Sequence, residues 1–248
     1  MELKQFFEAH PEVAIAFSGG VDSAYLLYAA KQYSKRVKAY YVKTAFQPQF
    51  ELEDAFQLAK ELDAEMQVLE VDILCDPTIT ANPADRCYHC KKELFSHIRK
   101  AAKADGFSVL LDGTNASDDA SDRPGMRAIA ELSVRSPLRE CGLTKGEIRQ
   151  LSKKGGLFTH DKPAYACLAT RIPTGEVITQ EKLQRTEQAE AFLSQLGFWD
   201  FRVRCQGNVA KIQVAERDLS LLMQHREAVV KQLKNNYTSI MLDLEVRK

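Results

Sequence analysis

Three stretches decide how this chain is read: Val13-Ala-Ile-Ala-Phe17, Ser18-Gly19-Gly20-Val21-Asp22-Ser23 and Ala24-Tyr-Leu-Leu-Tyr-Ala-Ala30, which follow one another without a break. Five apolar residues in a row suit a strand buried on both faces of a parallel sheet. Tyr25, Leu26, Tyr28 and Ala29 then recur at helical spacing, so a helix follows. The turn between them is built of small residues. Its two glycines let the backbone take positive φ and approach a ligand, so successive N–H groups can form an anion-binding nest. Ser18 and Ser23 add hydroxyls, and the helix brings the positive end of its dipole to the same place. A phosphate site is expected there.

The loop has neither the spacing nor the lysine of a Walker loop, and it is not G-x-G-x-x-G. It resembles the PP-loop of the ATP pyrophosphatases, which cleave ATP between its α and β phosphates. That resemblance implies ATP and Mg²⁺ as cofactors, with Ser18, Gly19, Gly20, Asp22 and Ser23 around the leaving pyrophosphate and Asp22 beside the metal. The ordinary alternative is a Ser/Gly turn with an aspartate in the first helical turn. Strand, loop and helix in the right order favour the nucleotide reading.

The chain has 248 residues, enough for one large or two modest domains. Its 34 basic and 34 acidic residues balance, so there is no global field to recruit nucleic acid or an anionic membrane, and neither partner is expected. No apolar run approaches the ~20 residues of a membrane span, and Met1-Glu-Leu-Lys-Gln lacks the apolar core of a signal peptide. A soluble, cytoplasmic protein is expected, in which the six cysteines serve as ligands, nucleophiles or core fillers rather than disulfides.

A short helix before Pro11 puts Leu3, Phe6 and Phe7 on one side. After the first strand and helix come a strand over 36–42, a helix over 51–62, a strand over 66–71, a helix over 91–104 and a strand over 108–112. The helix over 51–62 carries the stripe Leu52, Ala55, Phe56, Leu58, Ala59 and Leu62. Strands alternating with helices predict an α/β fold with a doubly wound, mostly parallel sheet, whose ligand lies beyond the carboxyl ends of the strands. A further element over 133–138 leads to a helix opened by the capping box Thr144-Lys-Gly-Glu147. From about residue 173 the pattern changes. A helix over 181–196, two strands joined at Gln206-Gly207-Asn208, a helix over 217–233 and a strand over 239–246 predict a smaller α+β domain. The expected division is 1–172 and 173–248.

Asp112-Gly113-Thr114-Asn115 leaves the fourth strand at the same edge as the first loop. It resembles the Gly-Thr-Asn turn of PP-loop enzymes, with Gly113 and Thr114 at the nucleotide. Beyond it, Asp118-Asp119-Ala-Ser-Asp122-Arg123-Pro124-Gly125 collects carboxylates that suit either a solvated loop or Mg²⁺.

Cys87-Tyr-His-Cys90 sits at a helix start, a position that favours thiolates, and Cys167 follows some eighty residues on. The three thiols leave several chemistries open. His89 or His160 could complete a zinc site. The thiols alone could hold a [4Fe–4S] cluster with one iron left open. Cys87 and Cys90 could also form a dithiol beside a Cys167 nucleophile. Cys75, Cys141 and Cys205 have ordinary explanations in loop and strand.

Together with the first loop, the blocks Asn82-Pro-Ala-Asp85-Arg86-Cys87-Tyr-His-Cys90-Lys91, Asp112–Asn115, Asp122–Gly125 and Pro163-Ala-Tyr-Ala-Cys167-Leu-Ala-Thr-Arg171 resemble the LarE family, ATP-dependent sulfur transferases of nickel-pincer nucleotide biosynthesis. The resemblance implies adenylation of a carboxylate of a pyridinium dicarboxylate mononucleotide and insertion of sulfur to give a thiocarboxylate. It implies Asp22 and Cys167 as catalytic residues, and Cys87, Cys90 and Cys167 as ligands of a [4Fe–4S] cluster that passes on a bound sulfide. The alternative version in the family sacrifices the side chain at Cys167. Arg202 and Arg204 share one face of a strand and suit a phosphate. The resemblance associates them and Glu190 with the substrate phosphate, and it implies a small-molecule nucleotide substrate and a homo-oligomer. A PP-loop tRNA thiolase and a non-enzymatic metal-binding module are the rival functions.

Overall fold

The computed structural model describes residues 2–118 and 124–246. In chain order the elements are α1 (Leu3–Ala9), β1 (Glu12–Ala16), α2 (Val21–Tyr33), β2 (Arg36–Lys43), α3 (Gln49–Glu61), β3 (Glu65–Glu70), α4 (Pro77–Thr80), α5 (Arg86–Ala104) and β4 (Leu110–Leu111). They continue with α6 (Pro124–Glu131), α7 (Pro137–Glu140), α8 (Lys145–Lys154), α9 (Gln180–Gln195), β5 (Phe201–Gln206), β6 (Val209–Val214), α10 (Leu219–Gln224), α11 (Arg226–Leu233) and β7 (Ser239–Leu242). Two compact units result: Met1–Ile73 with Asp85–Ala164, and Leu74–Ala84 with Tyr165–Lys248. No helix among the described residues is long and apolar enough to cross a membrane.

The first unit holds a parallel sheet in the order β3-β2-β1-β4. Side chains alternate across a strand, and here both sides of the alternation are apolar. Val13, Ile15, Ala39 and Tyr41 join the core cluster that includes Phe6, Phe7, Leu26, Leu27, Leu58 and Ile148. Ala14, Tyr40 and Val42 join the other, with Phe95, Ile98, Ala102 and Ile129. Helices therefore cover both faces, as expected for a doubly wound sheet. The chain crosses from β3 at one edge to β4 beside β1, so the sheet reverses between β1 and β4, where such folds bind ligands.

Several boundaries differ from the sequence reading. The helix carrying the cysteines begins at Arg86, after Asp85, and not at Lys91. The fourth strand is only two residues long, and the segment after 133 contributes a single bridge, Leu111 to Arg135, before Pro137 opens α7. On α3 the buried arc is Ala55, Leu58 and Ala59, while Phe56, at the margin of that arc, is 52% exposed.

The second unit pairs β5 with β6 as an antiparallel hairpin and β6 with β7 in parallel. The helix expected over 217–233 is broken at His225 into α10 and α11. Segment 74–84 belongs here because Asn82, buried, donates from Nδ2 to Ile172 O at 3.2 Å and Pro173 O at 2.8 Å.

Candidate active site

At the switch point of the first unit, β1 runs into the loop Ser18–Ser23. Gly19 takes φ 71°, a left-handed value that a side chain would strain. Ser23 Oγ accepts from Ser18 N at 3.3 Å, donates to Gly20 O at 3.1 Å and lies 3.1 Å from Ser18 Oγ. Gly20 N donates to Ser18 Oγ at 3.4 Å. The serines thus pin the loop on itself. No side chain caps α2, so the amides of its first turn, which have no acceptor within the helix, could receive an anion.

Asp22 stands in that first turn, with its Oδ2 accepting from Lys145 Nζ. Its Oδ1 is buried with no hydrogen-bond partner among the described residues. Burial pushes the Asp22 carboxyl above the ordinary range; Lys145 pulls it down, and the nearby Asp118 pushes it up again. A buried, unsatisfied carboxylate oxygen beside a second carboxylate is a fitting ligand for a hard cation such as Mg²⁺. Asp119, Asp122 and Arg123 of the acidic run lie outside the described residues.

The turn after β4 meets the loop directly. A Cβ on Gly113 would stand 2.9 Å from Ser23 N and 3.1 Å from Ser23 Cα, so glycine is needed for the turn to rest on α2. Asp112 holds the turn by accepting from Thr114 Oγ1 at 2.5 Å and Ser136 Oγ at 2.6 Å. Thr114 is thereby drawn back to its own turn. Farther on, Ser117 Oγ accepts from Lys145 N at 3.0 Å, and Ala116 N donates to Leu143 O at 2.8 Å. These bonds and the capping box of Thr144 and Glu147 fix the start of α8, and with it Lys145. The capping box was visible in the sequence; nothing local marked Lys145 as the partner of Asp22.

Cys87 and Cys90 lie three residues apart, one helical turn from each other at the start of α5 and on one side of the helix. Arg86, buried, reaches Cys87 Sγ at 3.6 Å. His89 lies 3.3 Å from Asp85, and His160 Nδ1 lies 3.0 Å from Leu157 O, so both histidines weighed as a fourth metal ligand have other partners. All six cysteines are thiols rather than disulfides. Among the described residues, no group of three or more His, Cys, Asp or Glu side chains is gathered that could hold a metal ion.

Cys167 belongs to the second unit, where it caps the 3₁₀ turn Leu168–Arg171. Arg202 and Arg204 share a face of β5. Arg202 is buried, with its guanidinium 5.1 Å from the Tyr165 ring, and Arg204 donates to Gln213 Oε1 at 2.8 Å and Thr170 O at 2.6 Å. Glu190 is buried against Arg171, which the sequence reading quotes in the block around Cys167 without giving it a role.

A family model described as queuosine biosynthesis protein QueC matches residues 12–93, the segment holding β1 to β3 and the Cys87–Cys90 turn. An uncharacterised protein of Synechocystis is 38% identical over 98% of this chain and 92% of its own. The pyridinium-3,5-bisthiocarboxylic acid mononucleotide synthase of Lactiplantibacillus plantarum is 32% identical over 94% of this chain and 85% of its own. A tRNA-specific 2-thiouridylase of Thermotoga neapolitana is 25% identical over 61% of this chain and 54% of its own. On the extent of the match to the mononucleotide synthase, joined to the PP-loop geometry, the chain belongs to the LarE family of ATP-dependent sulfur transferases.

Proposed function

We propose that the protein uses ATP to adenylate a carboxylate of a pyridinium dicarboxylate mononucleotide and then exchanges the activated oxygen for sulfur, giving a thiocarboxylate. The name of the Lactiplantibacillus relative supports the substrate. The observation that carries the ATP chemistry is the uncapped start of α2 beside the unsatisfied Oδ1 of Asp22.

In the first step a carboxylate oxygen attacks the α-phosphorus, the bond from that phosphorus to the β-bridging oxygen breaks, and pyrophosphate leaves with the electron pair. The amides of α2 and the Lys145 ammonium offset the charge that grows on the pyrophosphate. Asp22 would hold Mg²⁺, which supplies further neutralisation. In the second step a sulfur nucleophile attacks the acyl carbon, a C–S bond forms, and AMP departs with the C–O electron pair. Arg202 and Arg204 receive the phosphate of the mononucleotide, a role suited to paired guanidiniums.

Cys87, Cys90 and Cys167 would hold a [4Fe–4S] cluster. What supports this is the chemistry of the donors, three thiols with two of them one helical turn apart at a helix start and the third at the N-cap of a 3₁₀ turn, although among the described residues the three are not gathered into one group. When bound, the cluster would supply a sulfide at the iron these cysteines leave open. A homo-oligomer is part of the proposal, and light scattering of the purified protein tests it.

The deciding experiment is anaerobic reconstitution with iron and sulfide, followed by an assay with ATP and the pyridinium substrate. AMP, pyrophosphate and thiocarboxylate, with about four irons per chain and Cys167 intact, support the proposal. ADP as product overturns the nucleotide chemistry. An iron-free protein that turns Cys167 into dehydroalanine overturns the cluster in favour of sacrifice.

A further inference from the structure

Glu190 lies on α9 with its carboxylate almost wholly enclosed. Its Oε1 accepts from Arg171 Nε at 2.8 Å and Val203 N at 2.9 Å, and its Oε2 from Arg171 Nη2 at 3.1 Å and Tyr165 Oη at 2.5 Å. A carboxylate offers about four lone-pair sites and, when ionised, no proton to donate. Those sites are filled. A substrate phosphate arriving here would meet a second anion with nothing to give it.

Arg171 continues the chain of contacts. One edge of its guanidinium grips Glu190; Nη1, on the other side, donates to Ala166 O and Thr170 Oγ1, each at 2.8 Å, and lies 3.5 Å from Cys167 O. Thr170 in turn donates to Cys167 O from N at 2.9 Å and from Oγ1 at 2.8 Å. Burial is the largest influence on Arg171 and opposes its charge, yet the hydrogen bond and the negative charge of Glu190, together with Tyr165 and Cys167, leave the pKa of the guanidinium raised. The planar fork of arginine matches a carboxylate on one side and carbonyls on the other, which a lysine could not do.

We propose that Glu190 is a positioning residue: through Arg171 it holds the turn that carries Cys167, and so sets the direction of the Cys167 side chain for sulfur transfer, rather than contacting the substrate phosphate. This rests on the reading of Cys167 as a residue of sulfur delivery. Contact with phosphate is left to Arg202 and Arg204.

Glu190→Gln, nearly isosteric, tests it in the reconstituted full-length protein. A misdirected reacting group lowers the chemical step by about 10- to 100-fold. The expected result is a fall of that size in kcat for thiocarboxylate formation with KM for the mononucleotide unchanged. A raised KM with kcat unchanged, the pattern of lost ground-state binding, overturns the proposal. Hydrogen–deuterium exchange of the 165–171 segment, which needs no turnover, is expected to quicken in the variant by more than that of β1 and α2. Unchanged exchange at 165–171 also overturns the proposal. Should Glu190→Gln fail to fold, Tyr165→Phe, which removes a single donor from Oε2, is expected to give a smaller change of the same kind, and no change overturns it. If Cys167→Ser still transfers sulfur, the reading of Cys167 fails on its own, and the exchange measurement still judges whether Glu190 holds the turn.

Discussion

Lys145 Nζ donates to Asp22 Oδ2, while the other oxygen of that carboxylate, Oδ1, is buried with no hydrogen-bond partner among the described residues. Burial raises the carboxyl's pKa against the pull of Lys145. A carboxyl whose folded pKa is raised binds more protons folded than unfolded, so between the two pKa values its contribution to stability falls as pH rises. Charged Asp22 therefore works against folding at neutral pH, and a cation on Oδ1 reverses this. Asp22→Asn is expected to raise the Tm of the metal-free protein while reducing AMP formation by about 10²- to 10³-fold. Mg²⁺ should raise the Tm of the parent and not of the variant. Differential scanning calorimetry with and without Mg²⁺ checks both, and a variant that melts below the parent contradicts the account.

Lys145 is held by the start of α8, where Thr144 and Glu147 cap each other across the first turn. Replacing an N-cap threonine by alanine costs about 1 kcal/mol, worth about 2–4 °C in a chain of this size. Thr144→Ala is expected to lower Tm by that amount and to slow AMP formation as well, because Lys145 loses its anchor. Normal ATP turnover in a destabilised variant would show that Lys145 does not depend on the cap.

Much of the first unit was legible because its signals are local. The apolar run at 13–17, the helical stripe over 51–62 and the glycine-rich turn each report a period or a backbone demand within a few residues. The sequence reading starts α5 at Lys91; Cys87 and Cys90, expected to open the helix, instead lie inside it, after its N-cap at Asp85. Asn82 meets Ile172 and Pro173 some ninety residues away, and no local pattern carries that information. The pairings of Lys145 with Asp22 and of Arg171 with Glu190 were missed for the same reason. A single basic residue in a helical turn looks solvated until the fold brings a carboxylate to it.

Gly113 is the point at which the second turn rests on α2, with Ser23 N only 2.9 Å from where a Cβ would be. Relief requires either α2 or the turn to move, and both line the proposed nucleotide site. Overpacking of this kind costs about 1–3 kcal/mol. Gly113→Ala is expected to lose stability of that order in urea unfolding and to bind ATP more weakly, measured by titration calorimetry. Unaltered ATP affinity would show that the turn gives way without disturbing the loop.

Glu190 and Arg171 form an ion pair whose side chains are 6% and 1% exposed. Removing one partner of such a pair leaves an uncompensated buried charge, a loss of about 3–5 kcal/mol, whereas removing both charges together is far milder. Arg171→Met and Glu190→Gln are therefore expected to destabilise the protein strongly as single variants, although the amide oxygen that Glu190→Gln introduces can still accept from Val203 N. Combined, they should be less harmful than the sum by about 0.5–3 kcal/mol, the range seen for residues in contact. Urea unfolding of the four proteins measures the coupling. Strict additivity would mean that the two charges do not depend on one another. A strong coupling with sulfur transfer still lost in the double variant would separate the two roles of the pair, because stability returns when both charges go while the anchor for the Cys167 turn does not.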